Sequence, residues 1–146
     1  MTNPSLKRNR KRGVTLIEML VVVTIIGLFV ALVGPSLFRK ADDARITAAK
    51  SQMANFMTAL GAYKLDTGNF PTTEQGLAAL RTRPADILQW NGPYLPQDVP
   101  MDPWGHPFMY RYPGEHGNDE PDIVSLGRDG QPGGEGYDAD VVSWRK

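Results

Sequence analysis

The chain has 146 residues, of which 22% are charged and 41% hydrophobic, with 16 basic and 16 acidic side chains and no cysteine. That length leaves room for one modest domain, and the lack of cysteine excludes a disulfide framework for its small core. The zero net charge conceals a division. Five basic residues stand at or before Arg12 and every acidic residue lies beyond Gly13, so the chain from Val14 onward carries about −5. An acidic body without a basic stripe excludes nucleic acid as a main partner.

The first element is a basic stretch, Lys7-Arg8-Asn9-Arg10-Lys11-Arg12-Gly13, and an apolar run over residues 14–33 follows it. Twenty residues at about 1.5 Å each cross a hydrocarbon core of about 30 Å. Thr15, Glu18, Thr24 and Gly27 interrupt the run. Threonine hydroxyls can bond back to helix carbonyls and cost little there. Basic residues crowd the N-terminal side, whereas Arg39-Lys40 beyond the run is followed by Asp42-Asp43. This bias predicts a cytoplasmic N-terminus and an exported C-terminal domain.

Glu18 does not fit a plain anchor. A charge near the middle of a bilayer costs about 2.5–3.5 kcal/mol on insertion scales, so a counter-charge at the same depth is expected. A secretory signal would need a small-x-small cleavage site after a short apolar stretch, and no good one precedes Pro35. A signal anchor leaves Glu18 without a purpose. A cut between Gly13 and Val14, on the cytoplasmic side, keeps the helix and creates an ammonium on Val14 as partner for Glu18.

Gly13-Val14-Thr15-Leu16-Ile17-Glu18 resembles the prepilin processing motif of type IV pilins and type II secretion pseudopilins. The resemblance implies a dedicated prepilin peptidase that cuts after Gly13 and methylates Val14. Val14 stands where the family more often has phenylalanine or methionine. Pro35 matches the family's helix-loosening proline, twenty-two residues past the cut.

Beyond Pro35 the apolar residues Leu37, Ala41, Ala44, Ile46, Ala48, Ala49, Met53, Phe56, Leu60 and Tyr63 recur at three- and four-residue steps, with charges between them. This spacing predicts an amphipathic helix over 36–65, broken or kinked near Gly34-Pro35 and ended by the turn Asp66-Thr67-Gly68-Asn69. Thr72 and Gln75 have the spacing of a capping box for a short helix. Trp90, Tyr94 and Trp104, interleaved with Pro93, Pro96, Pro100 and Pro103, predict an ordered loop packed on the long helix by its aromatic residues.

Phe108-Met109-Tyr110-Arg111-Tyr112, Asp122-Ile123-Val124-Ser125-Leu126 and Val141-Val142-Ser143-Trp144 read as three short strands, antiparallel because their connections are short. The expected fold is α+β: a long N-terminal helix, half membrane-spanning and half amphipathic, packed on a small antiparallel sheet. The expected organisation is a cleaved leader over 1–13, a membrane helix over 14–34 and an exported domain over 35–146. Within that domain, loops and a short helix fill 66–106, and the sheet and an acidic loop fill 107–146.

The exported half resembles the major-pseudopilin branch of type II secretion in several runs. They are Tyr63-Lys64-Leu65-Asp66-Thr67-Gly68, Pro71-Thr72-Thr73-Glu74-Gln75-Gly76-Leu77, Asp102-Pro103-Trp104-Gly105, Ser125-Leu126-Gly127-Arg128-Asp129-Gly130 and the closing Trp144. The resemblance implies a pilin-like fold and a homopolymer grown from the inner membrane that drives folded periplasmic proteins through the outer membrane. It implies minor pseudopilins and an inner-membrane assembly platform as further partners. In such filaments Glu18 would meet the N-terminus of a neighbouring subunit.

Residues 115–140 hold eight carboxylates, five glycines beyond Leu126, and Arg128 as the only basic side chain. Such a loop is either solvated or neutralised by a hard cation, and Ca²⁺ takes six to eight oxygens from carboxylates, carbonyls and water. EF-hand spacing is absent. The resemblance implies a structural calcium site with Asp129, the carbonyls of Leu126 and Gln131, and one further carboxylate, for which Asp138 and Asp140 compete and Asp138 is slightly preferred. His106 and His116 lie outside metal or triad spacings, and Trp104-Gly105-His106-Pro107 reads as a surface turn. No nucleophile or phosphate-loop motif is present, so an enzyme is not expected. The rivals are an adhesive or DNA-uptake pilin, which often carries a C-terminal cysteine pair or a basic face, and a membrane-anchored periplasmic enzyme.

Overall fold

The computed structural model describes residues 13–117 and 119–145. The basic leader through Arg12 lies outside these residues. They fall into two compact units divided between Arg39 and Lys40.

The element order is a long helix α1 (Leu16–Thr67), a 3-10 helix (Leu77–Leu80), strands β1 (Met109–Arg111) and β2 (Asp122–Ser125), a second 3-10 helix (Gly136–Asp138) and strand β3 (Val141–Val142). Helix α1 continues through Gly34-Pro35, where a break or kink was expected. Proline there removes the N–H that would bond the carbonyl of Ala31, which weakens one turn without ending the helix. Every side chain from 14 to 33 is exposed, Leu16 at 85% and Phe29 at 62%. This segment is long and apolar enough to cross a membrane. Its Thr24 hydroxyl bonds back to the Leu20 carbonyl at 2.8 Å, so it brings no unsatisfied group into an apolar surrounding.

In the second unit α1 buries one stripe. Ala49, Met53, Phe56, Leu60 and Tyr63 are at most 2% exposed, three or four residues apart, as a helix facing a core requires. Leu37, Ala41, Ala44 and Ala48, expected on the same stripe, are exposed. The apolar core begins only at Ile46 and Ala49, and these four side chains take no part in it. The helix runs two residues past the expected 65. Thr67 donates its hydroxyl to the Tyr63 carbonyl, and Gly68, at φ 89°, donates its N–H to Lys64 at 2.8 Å. A left-handed glycine just past the last turn is a standard helix stop.

Thr72 and Gln75 form the reciprocal bonds of a capping box, Gln75 N–H to Thr72 Oγ1 at 3.2 Å and Thr72 N–H to Gln75 Oε1 at 3.0 Å. The box closes a single turn, and the 3-10 helix follows it. Leu77, Ala79 and Leu80 of that helix join the core. The aromatic loop packs as expected. Trp90 Nε1 donates to Ala79 O at 2.9 Å, Tyr94 donates its hydroxyl to Asp66 at 2.8 Å, and the Tyr94 ring meets Tyr63 edge-on.

The sheet has the order β1-β2-β3 and is antiparallel throughout. Tyr110 faces Ile123, and Ser125 faces Val141. Ile123 and Val141 point into the helix stripe, while Phe108 meets Phe56 edge-on at 5.1 Å between ring centres. The expected α+β architecture with a small antiparallel sheet is the observed one.

Tyr110 is half-buried and donates its hydroxyl to the Pro71 carbonyl at 2.8 Å. Burial pushes its phenol well above the ordinary tyrosine value. The unfolded chain ionises this phenol near pH 10, whereas the folded chain retains the proton. The stability is therefore fully present below about pH 10 and is lost as pH rises towards the folded value. Tyr110→Phe should cost about 0.5–1.5 kcal/mol near neutral pH through the lost hydrogen bond. Urea denaturation should show that gap narrowing at about pH 11, where only the parent bears the ionisation penalty.

Candidate functional site

The start of α1 is built by a short motif. Gly13 and Val14 precede the helix and are exposed, and the helix begins at Leu16. Thr15 caps it: its Oγ1 accepts the Glu18 N–H at 3.3 Å, and its carbonyl accepts the Met19 N–H at 3.2 Å. Thr15 and Glu18 thus occupy the two ends of a capping-box spacing, a signal present in the sequence. Glu18 stands in the first turn, where the helix dipole favours an anion, and it is exposed. Its carboxylate thus stands four residues after Val14, on an apolar segment whose side chains over 14–33 are all exposed.

The second candidate site is the acidic loop. After β2 the chain turns at Leu126 through Gly127 and Gly130, at φ 65° and 66°. A Cβ on Gly127 would stand 2.8 Å from the Ala139 carbonyl, and one on Gly134 would collide with the Asp138 carbonyl. Two backbone stretches therefore pass against each other, 126–131 and 133–140, and only glycine allows that approach. Asp140 N–H donates to Gly133 O at 3.0 Å, and Asp140 Oδ2 accepts the Gly133 N–H at 2.9 Å. Asp140 Oδ1 is buried and has no partner among the described residues. Asp129 is exposed, and its Oδ1 accepts the Gln131 N–H at 3.1 Å. Asp138 is occupied differently: its Oδ1 accepts from Arg128 Nε at 2.8 Å.

Among the described residues no three His, Asp or Glu side chains come close enough to hold an ion by themselves. A cation at this loop would have to draw on backbone carbonyls as well, which suits a hard cation of high coordination number.

The loop rests on a buried carboxylate that sequence reasoning missed as a structural hub. Asp102 is 5% exposed. Its Oδ1 accepts the N–H groups of Trp104 at 3.0 Å and His106 at 2.8 Å, and its Oδ2 accepts the Ser125 hydroxyl at 2.5 Å. Ser125 Oγ lies 3.4 Å from the Gly127 N–H, and His106 Nδ1 lies 3.1 Å from the Gly127 carbonyl. His106 is thus wedged beneath the loop at Gly127 and Gly130, and the expected surface turn is only one side of it. The Asp-Pro-Trp-Gly run was the available signal, because aspartate ahead of proline and glycine favours a turn closed on its own side chain.

The family model for type II secretion system protein G matches residues 36–144, and the model of the prokaryotic N-terminal methylation motif matches residues 8–34. The chain belongs to the type II secretion protein G family. Type II secretion system core protein G of Pseudomonas aeruginosa is 42% identical to it, over 95% of this chain and 99% of the relative. The corresponding protein of Vibrio cholerae is 41% identical, over 94% of each chain. The crystal structure of the major pseudopilin from the type 2 secretion system of enterohaemorrhagic Escherichia coli superposes with a TM-score of 0.62 at 33% identity, covering 75% of this chain and 95% of that one. The pilin-like fold expected from the processing motif is thereby the fold of this family member.

Within this family fold, Asp102 ties the loop that precedes β1 to the end of β2. Asp102→Ala leaves three donors without an acceptor in a buried place, and should destabilise the fold by about 2–4 kcal/mol. Ser125→Ala removes one hydroxyl and should cost about 1–2 kcal/mol. Urea denaturation of the three chains measures both, with Asp102→Ala the larger loss.

Proposed function

We propose that this chain is a major structural subunit of a type II secretion pseudopilus. It is made with a basic leader that prepilin peptidase removes after Gly13, and the new N-terminus on Val14 is methylated. The apolar half of α1 holds the subunit in the inner membrane with its C-terminal domain in the periplasm. Polymerisation then draws subunits out of the bilayer, with minor pseudopilins and the inner-membrane assembly platform as partners. The work of the chain is structural, not catalytic.

One observation carries the assembly reading: Glu18, its backbone N–H capped by Thr15, stands exposed in the first turn of α1 among the exposed apolar side chains of 14–33, four residues from the new N-terminus. A carboxylate and an ammonium each cost several kcal/mol when desolvated alone and offset one another only when paired. Pairing across subunits makes insertion into the filament favourable only in the correct register. Intact mass should show loss of residues 1–13 and gain of one methyl group. Glu18→Ala should still insert and be cleaved, yet yield few filaments by electron microscopy; filaments at the parental level would rule the pairing out.

The acidic loop suits a structural calcium ion. Asp129, the carbonyls of Leu126 and Gln131, and Asp140 would hold it. Asp140 is the better second carboxylate because its buried Oδ1 lacks a partner, whereas Asp138 is engaged by Arg128. The ion would supply positive charge to a loop whose carboxylates otherwise repel. Chelation with EDTA should lower the melting temperature of the parent, and Asp140→Ala should remove that dependence more fully than Asp138→Ala. An unchanged melting temperature on chelation would exclude the ion.

A further inference from the structure

Arg128 is the only basic residue among the acidic side chains of 115–140. Its side chain is half-exposed, and it reaches two different elements. Nε donates to Asp138 at the end of the second 3-10 helix, at 2.8 Å. Nη1 lies 3.8 Å from Asp42 Oδ2 on α1, a carboxylate only 15% exposed that also pairs with Arg45 at 3.5 Å. The guanidinium therefore bridges the acidic loop to the helix. Asp138, then Asp42 and Asp129, push its already high pKa further up. One cation thus sits in the summed field of three carboxylates from three parts of the domain.

We propose that Arg128 is a tethered cation that does part of a metal ion's work, holding the loop on α1 and keeping Asp138 out of the calcium ligand set. The proposal rests on the calcium reading above. An exposed ion pair contributes little by itself. Arg128 differs in being covalently attached, so its charge is present at any calcium concentration. Its fork of donors suits two carboxylates at once. The same charge opposes a divalent ion placed in the adjoining turn, because like charges a few ångströms apart repel strongly even near a protein surface. Arg128 therefore makes the loop less dependent on calcium and its calcium site weaker.

This separates Arg128 from a residue that merely packs. Loss of a packing residue would loosen the loop and weaken the metal site together. Loss of Arg128 should loosen the metal-free loop and tighten the metal site, since Asp138 is released and a positive charge is gone.

The test uses the full chain in detergent, as parent, Arg128→Ala, Arg128→Lys and Asp129→Ala. Melting is followed by near-ultraviolet circular dichroism with EDTA or calcium chloride, and binding by calorimetric titration of calcium chloride. In EDTA, Arg128→Ala should melt about 2–4 °C below the parent. Added calcium should raise its melting temperature more than the parent's, and calcium should bind about tenfold more tightly. Arg128→Lys should restore the weaker calcium binding but not the metal-free melting temperature, because an ammonium lacks the fork. If Arg128→Ala binds calcium no more tightly than the parent while Asp129→Ala loses binding, the role of Arg128 falls and the calcium site stands. If calcium neither binds nor stabilises any of the four chains, the calcium site falls and this role falls with it.

Discussion

One helix has to satisfy two surroundings, and the rest of the molecule is arranged around that demand. Over residues 14–33, α1 shows apolar side chains in every direction, so that stretch is stable only where lipid or other apolar helices surround it. From Ala49 to Tyr63 the same helix presents one apolar stripe and buries it beneath Leu77, Leu80, Leu95, Ile123 and Val141. The sheet is too short to make a core by itself, having strands of two to four residues. The helix stripe supplies the missing half of that core. A subunit so built is a water-stable head on a segment that must leave water, which is the physical requirement for a filament drawn from a membrane.

The head has a second constraint, which is charge. Its loop after β2 gathers carboxylates that no disulfide holds in place, and two means of neutralising them are visible. Backbone donors take up some, as at Asp129 and Asp140, which accept the N–H groups of Gln131 and Gly133. A cation takes up others, as Arg128 does for Asp138. His116 adds a similar brace near the chain end, with Nδ1 2.9 Å from the buried Asp122 and its ring stacked on Trp144 at 3.9 Å. These polar ties let a small domain keep long loops close to its sheet.

Much of this was legible in the residues. The membrane run, the anomalous Glu18, the capping box at Thr72 and Gln75, the three strands and the aromatic clamp on the helix all follow local patterns of period, spacing or composition. The start of α1 is also legible, as Thr15 and Glu18 in capping-box spacing. Less visible was where burial begins. Leu37, Ala41, Ala44 and Ala48 keep a helical period with Met53, yet they are exposed and lie outside the core.

The sequence by itself determined the elements and the class of protein, since a twenty-residue apolar run, a charge within it and a glycine ahead of it are local chemistry that no distant contact alters. Only the tertiary structure decided what the charged groups near the sheet do. Asp102, Asp138 and Asp140 are the same kind of side chain, but one is buried under Ser125, one faces Arg128, and one keeps an oxygen buried without a partner. Those partners lie ten or more residues away for Asp102 and Asp138, and chain closure sets which carboxylate meets which donor.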